Sequence, residues 1–400
     1  MLNDINSNEM EENVEITDDT LDEVVTDNGA VVNGVSDDYK AYTDRPPVKK
    51  VSKYGLTRTS KQLTRVYNSL FNRPAKMPEQ IVYFGAPGTG KSFNIDKKLK
   101  RMKIKPQYIS RVVFHPDYTY GDFVGCIKPK KDDKGIDYLF EAGPLTRALI
   151  TAFENPDKDI YIIIEEINRG NAAAIFGDLF QLLDRDDSGK SKYNITNKDI
   201  CSVICKNEYL RPFFKMGEVW FPNNLNFLCT MNTADQNVFV LDTAFKRRFH
   251  MKYVSIDYSV FEKKKELQGY TIETDVFDGT DDLITLFNNS ELREIVNQLN
   301  LDGTLKRNWP TFAMLVNATI DVINQNEGDQ ISEDKKLGPF YVLLDEIEDK
   351  SKFADKVLYY LKQDVFKYSD IYFTKSYQTL YSDFVKGKID IFKLLIPGGI

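Results

Sequence analysis

From Gln80 onward the chain alternates short apolar runs with segments whose apolar residues recur at helical spacing. QIVYF, YISRVVF, IYIIIEE, LNFLCTM and HMKYV are rich in β-branched and aromatic residues and predict strands. They are close to continuously apolar, the pattern of a parallel sheet covered by helices on both faces. Two irregular insertions interrupt the alternation, 123–143 with a hairpin tip at KDDKG, and 186–219. Past residue 255 the strand pattern stops and helical spacing takes over, as in 309–325 and 351–366, which predicts a separate helical domain. Ahead of the first strand, Leu63, Val66, Tyr67, Leu70 and Phe71 follow Ser60 with the spacing of a short, Ser-capped helix. The expected organisation is a polar tail over 1–45, a linker and lead helix over 46–78, an αβα domain over 79–255 and a helical domain over 256–400.

Charge sharpens this division. Residues 1–40 carry twelve acids against Lys40 alone, while the whole chain has a net charge of -7, so the rest is slightly basic. A head this acidic and poor in aromatics predicts disorder and repels nucleic acid. Any DNA contact is then expected through a local patch or a partner. The head has neither the basic start nor the apolar core of a signal peptide. No apolar run approaches the roughly 18 residues of a membrane span. The expectation is a cytoplasmic protein without membrane contact, whose Cys126, Cys201, Cys205 and Cys229 stay reduced. Cys201 and Cys205 have the spacing of half a metal site, but no second pair accompanies them, which argues against zinc.

The candidate chemistry begins at GAPGTGKS, which follows an apolar strand and opens a helix, as a phosphate-binding loop requires. Gly85, Ala86, Pro87, Gly88, Thr89 and Gly90 would curl the backbone so that its N–H groups face phosphates at a helix N-terminus. Lys91 would reach the β- and γ-phosphates, and Ser92 would ligate Mg²⁺. The strand IYIIIEE ends in two acids at the sheet's carboxyl edge, where α/β folds bind ligands. Glu165 is the candidate to help hold Mg²⁺, and Glu166 the candidate general base for an attacking water. LNFLCTM ends at Asn232, whose amide can bond that water or the γ-phosphate without adding charge. Beyond the next helical segment come Arg247 and Arg248, which could complement a helix end or reach a neighbouring subunit's phosphate.

GAPGTGKS, EEINRGN, TMNTADQ and FKRRF together resemble an AAA+ NTPase. MNTAD and EINRGN narrow the resemblance to the McrB-type NTPases, relatives of the MoxR and dynein-related branch; FHPDYTYGDFVG, FEAGPL and KKLGPFYV are similar to that family as well. The resemblance is strong over 80–255 and implies an αβα P-loop domain followed by a helical lid. It implies a hexameric ring with nucleotide at subunit interfaces, Asn232 as sensor 1, and Arg247 and Arg248 as candidate arginine fingers. It also implies that Asp235, Asn168 and Arg169 order the interface and that the 123–143 hairpin faces the pore, with Tyr138 and Phe140 as contacts. The chain departs from the family pattern at Gln236, where an arginine is usual, and at Glu165, where an aspartate is usual. Lys336 is a weak candidate for the lid's sensor 2 arginine. The implied function is a motor driving a McrC-type nuclease partner, with a MoxR-like protein remodeller as the alternative. The family argues for GTP and the wider class for ATP, towards which the departures lean.

Overall fold

A computed structural model describes residues 74–132, 135–214, 216–233, 238–258, 260, 309–326, 331–369, 372–389 and 391–395. The predicted tail and lead helix lie outside these residues, as do Asp235 and Gln236. The strands are β1 (Gln80–Phe84), β2 (Ile109–Val113), β3 (Gly125–Asp132), β4 (Gly135–Ala142), β5 (Ile160–Glu165), β6 (Ile195–Thr196), β7 (Glu218–Val219), β8 (Leu225–Met231) and β9 (His250–Tyr253). Five of them form a parallel sheet in the order β2-β5-β8-β1-β9. LNFLCTM therefore lies between the strand that enters the glycine-rich loop and the strand that ends in the acids.

The central strands explain their own sequences. Every residue of β8 is buried, and so is Ile160–Ile164 of β5, so neither strand can alternate polar with apolar. Each aliphatic side chain buried there contributes about 1.5–3 kcal/mol. Successive residues still face opposite sides: Tyr161, Ile163 and Leu228 pack with Ile95 and Leu99 of α1 (Lys91–Arg101), while Ile162, Ile164, Phe227 and Cys229 pack with Leu145 and Leu149 of α2 (Pro144–Glu154). Two buried amides fix the strand starts. Asn224 Nδ2 donates to the carbonyls of Ala152, Asn155 and Lys158, and Asn226 accepts from the Glu79 N–H while donating to the Ile160 carbonyl.

Both insertions have regular structure. Strands β3 and β4 pair antiparallel from Gly125↔Ala142 to Asp132↔Gly135, which flank the middle of the expected KDDKG tip. Tyr138 is 69% exposed on β4, whereas Phe140 turns inward and packs against the main core. The second insertion holds the β6–β7 ribbon and a short helix, Lys198–Ile204. It is anchored by the partly buried Arg185, which donates to the carbonyls of Phe221 and Leu225 and to the Gln80 side chain. Desolvation pulls the Arg185 pKa down to about 9, which still leaves the guanidinium charged near neutrality. Among the described residues between β8 and β9, the helix is a single turn, Thr243–Lys246, capped by Asp242. The C-terminal helices enclose a second apolar cluster around Trp309, Phe312 and Phe353, with α3 (Trp309–Asn326) through its middle. No described helix is long and apolar enough to cross a membrane.

Candidate functional site

The loop from Gly85 to Ser92 joins β1 to α1. Gly90 is the N-cap of α1, in the left-handed region at φ 82°, and offers no side-chain oxygen to the first turn. The helix thus starts without a side-chain cap, the condition under which its N–H groups can take an anion. Lys91 is buried, and its ammonium donates to the carbonyls of Gly85 (2.8 Å) and Ala86 (3.0 Å), which holds it inside the loop's curl. Thr89 Oγ1 closes the same curl on the Ala86 carbonyl at 3.0 Å.

Glu165 ends β5 beside this loop. Its Oε2 accepts from the Ser92 hydroxyl (2.8 Å) and the Thr230 hydroxyl (2.5 Å), and its Oε1 accepts from Arg111 on β2. Arg111 also pairs with Asp96 on α1. The glutamate in place of aspartate thus has a structural counterpart: its longer side chain is held on both oxygens. A hydroxyl and a carboxylate in contact are a hard, oxygen-only donor pair that fits Mg²⁺, which keeps several waters and takes few protein ligands. The described residues contain no cluster of three or more His, Cys, Asp or Glu that could hold a metal ion. Cys201 is buried, with its thiol against the Glu218 carbonyl, and burial pushes its pKa up to about 12, far from the thiolate a metal would need.

Glu166 follows with φ 54°, a left-handed conformation that costs a non-glycine residue about 1–2 kcal/mol. Its N–H donates to Thr230 Oγ1 at 3.2 Å, and this kink turns the second acid away from the first. Glu166 Oε1 accepts from Asn232 Nδ2 at 2.7 Å, and Oε2 lies 3.4 Å from Arg169 Nε. The acid and the amide predicted to act on one water are thus in direct contact. Asn168, almost fully buried, donates to the Asn232 carbonyl at 2.6 Å.

The two arginines part company. Arg248 Nη2 is 2.6 Å from Asp184, Nη1 donates to the Ala244 carbonyl, and the guanidinium lies 4.3 Å over the Phe180 ring; its side chain is 9% exposed. Arg247 is 66% exposed and reaches Asp184 only at 3.8 Å. Of the two candidates, Arg248 is tied into its own subunit and Arg247 is the exposed one.

The KKLGPFYV stretch, singled out in sequence for its family likeness alone, docks on the loop through Leu337–Tyr341. Gly338 N–H donates to the Pro87 carbonyl (2.9 Å) and Phe340 N–H to the Gly88 carbonyl (2.8 Å). A Cβ on Gly338 would fall 2.4 Å from the Gly88 carbonyl carbon, and one on Gly88 would fall 2.4 Å from the Tyr341 nitrogen. Asn317, Tyr258 and Trp309 hold the strap from behind through the Leu337 and Pro339 backbone. Lys336 is tied to Asp321 at 2.6 Å on α3. The likeness of KKLGPFYV to the family was legible in sequence, but nothing there tied the stretch to the loop. Gly338→Val should push the strap off the loop at a cost of about 1–3 kcal/mol, as overpacking does. We expect a fluorescent nucleotide to bind the variant at least tenfold more weakly, with α-helical circular dichroism preserved; unchanged affinity would separate the strap from the site.

The chain matches the family described as AAA domain (dynein-related subfamily) over residues 80–249. It is 34% identical over 317 residues to the Bacillus subtilis (strain 168) protein named Type II restriction enzyme BsuMI component YdiS, covering 73% of this chain and 81% of that protein. It is 28% identical over 232 residues to the Escherichia coli (strain K12) Type IV methyl-directed restriction enzyme EcoKMcrB subunit, covering 55% of this chain and 46% of that relative, about half its length. With the loop lysine, the acid pair and Asn232 gathered at the carboxyl ends of adjacent strands, these matches mean that the chain belongs to the dynein-related AAA family, among relatives of McrB-type restriction subunits.

Proposed function

We propose that the chain is a cytoplasmic, ring-forming nucleoside triphosphatase that hydrolyses nucleotide between subunits and drives a partner nuclease of a restriction system. The observation that carries this reading is the contact of Glu166 with Asn232 beside the Lys91 loop, combined with an exposed Arg247 on the next segment. One subunit supplies the phosphate cradle, the general base and the water-orienting amide. A neighbour supplies the arginine.

In the proposed reaction the triphosphate lies along the N–H groups of 85–92, with Lys91 exchanging its loop carbonyls for phosphate oxygens. Ser92 and Glu165 would hold Mg²⁺, which when bound neutralises charge on the β- and γ-phosphates. Glu166 takes a proton from the attacking water while Asn232 fixes that water's direction. Arg247 of the next subunit stabilises the charge that develops on the γ-phosphate oxygens. A hexamer is the expected assembly, ATP the preferred nucleotide over GTP, and a McrC-like nuclease the expected partner, which would carry the DNA contact. The two restriction relatives support the partner class.

A MoxR-like remodeller of protein substrates is the second reading. It is favoured by the exposed Ile127, Ile136, Tyr138 and Leu139 on the β3–β4 hairpin, an apolar surface suited to peptide. Lys91→Ala tests the part common to both. It removes a charge-assisted contact of about 1.5–3 kcal/mol, so affinity for ATP should fall tenfold to a hundredfold or more. Tight binding by this variant in a filter or calorimetric assay would remove the phosphate cradle from 85–92.

A further inference from the structure

Asn168 occupies a position that simple packing does not explain. It is almost fully buried just past the acid pair, and its Oδ1 has no hydrogen-bond partner among the described residues. Its Nδ2 donates to the Asn232 carbonyl at 2.6 Å, and a buried amide is retained where its hydrogen bond matters. The backbone carbonyl of the same residue accepts from the Phe239 N–H at 2.7 Å. Asn168 therefore grips the chain where it leaves β8 and again where it returns towards the arginine-bearing turn.

What lies at each end gives the grip its meaning. At one end Asn232 Nδ2 is bonded to Glu166 Oε1 at 2.7 Å. At the other, Phe239 and Val240 are exposed, Leu241 is buried, and Asp242 caps the turn Thr243–Lys246 that ends at Arg247. Three short hydrogen bonds thus run from the general base to the segment that carries the outward arginine. When Glu166 turns to a water, Asn232 loses a partner, and its carbonyl can shift only by dragging or releasing the Asn168 amide.

Resting on the interface reading above, we propose that Asn168 is a positioning residue that couples each subunit's own nucleotide site to the Arg247 it presents to a neighbour. Neighbouring sites then act in concert because the base of one and the arginine serving the next share this grip. The amide must donate: Asn168→Asp has the same shape but sets a carboxylate oxygen against the Asn232 carbonyl.

A double-mutant cycle tests this. Arg247→Lys keeps a charge but loses the guanidinium fork, so turnover falls yet stays measurable. Asn168→Asp alone should lower kcat about ten- to a hundredfold while the affinity for fluorescent ATP changes less than about threefold, because a buried donor is lost away from the phosphates. A sigmoidal dependence of rate on ATP should flatten towards a Hill coefficient of 1. In the Arg247→Lys background the same substitution should add little, less than about threefold, as expected of residues acting through one connection. Full multiplication of the two losses would overturn the proposal while leaving the interface reading intact. Wild-type turnover by Arg247→Lys and Arg247→Ala would instead remove the interface reading, and this proposal with it. If Asn168→Asp does not fold, Asn168→Ser, smaller and uncharged, enters the same cycle with the same two outcomes.

Discussion

Arg247→Ala should slow nucleotide hydrolysis by about 10³- to 10⁵-fold, the range an arginine finger supplies, without weakening the fold. Arg247 is two-thirds exposed, and its distance to Asp184 is long for a strong pair, so its removal should shift stability by no more than about 0.5 kcal/mol. Arg248→Ala should do the reverse. That arginine is held by Asp184, the Ala244 carbonyl and the Phe180 ring, and breaking a buried pair of this kind costs about 3 kcal/mol. Turnover and urea unfolding, measured side by side on both variants, separate the two roles. The decisive extension mixes Arg247→Ala subunits with Lys91→Ala subunits. Neither variant should hydrolyse alone, yet mixed assemblies should regain activity wherever an intact loop meets an intact arginine. Mixed assembly without any recovery would place the arginine's action inside its own subunit.

Glu166→Gln has the second largest expected effect, a loss of about 10²- to 10⁴-fold in turnover with nucleotide binding retained. Glu166 Oε1 accepts the Asn232 amide proton, which a glutamine oxygen can accept as well, while the long Oε2 pair with the half-exposed Arg169 at 3.4 Å is the contact given up. The local geometry should therefore survive while the base is lost. The variant should accumulate with nucleotide bound and assemble at least as readily as the wild type, read by sedimentation in the presence of ATP. Near-normal turnover would mean that the base is another group, and Glu165 would be the next carboxylate to test.

Much of the site was legible because its parts are local. The strand-loop-helix around GAPGTGKS, the acids ending IYIIIEE and the asparagine ending LNFLCTM each fit within a few residues, and β1, β5 and β8 prove to be neighbours. What could not be read depends on pairings between distant segments. Arg111 reaches Glu165 only because β2 is placed beside β5. The strap at Leu337–Tyr341 reaches Gly88 only after the C-terminal helices fold against the loop. Arg247 and Arg248 are adjacent in sequence, so no periodicity sorts them; the position of Asp184 does. Between β8 and β9 the pattern suggested a helix; among the described residues there Phe239 is held by the Asn168 carbonyl and Thr243–Lys246 is the one helical turn. The left-handed kink at Glu166 is likewise invisible in sequence, since glutamate rarely marks such a position.

If a neighbouring subunit completes the nucleotide site, hydrolysis must follow assembly. The measurement is steady-state hydrolysis of ATP and GTP with Mg²⁺ across a range of protein concentrations, with sedimentation recorded on the same samples. The rate per subunit should rise steeply in step with assembly, and more for ATP than for GTP. A rate per subunit that stays constant while monomers give way to larger assemblies would contradict completion by a neighbour.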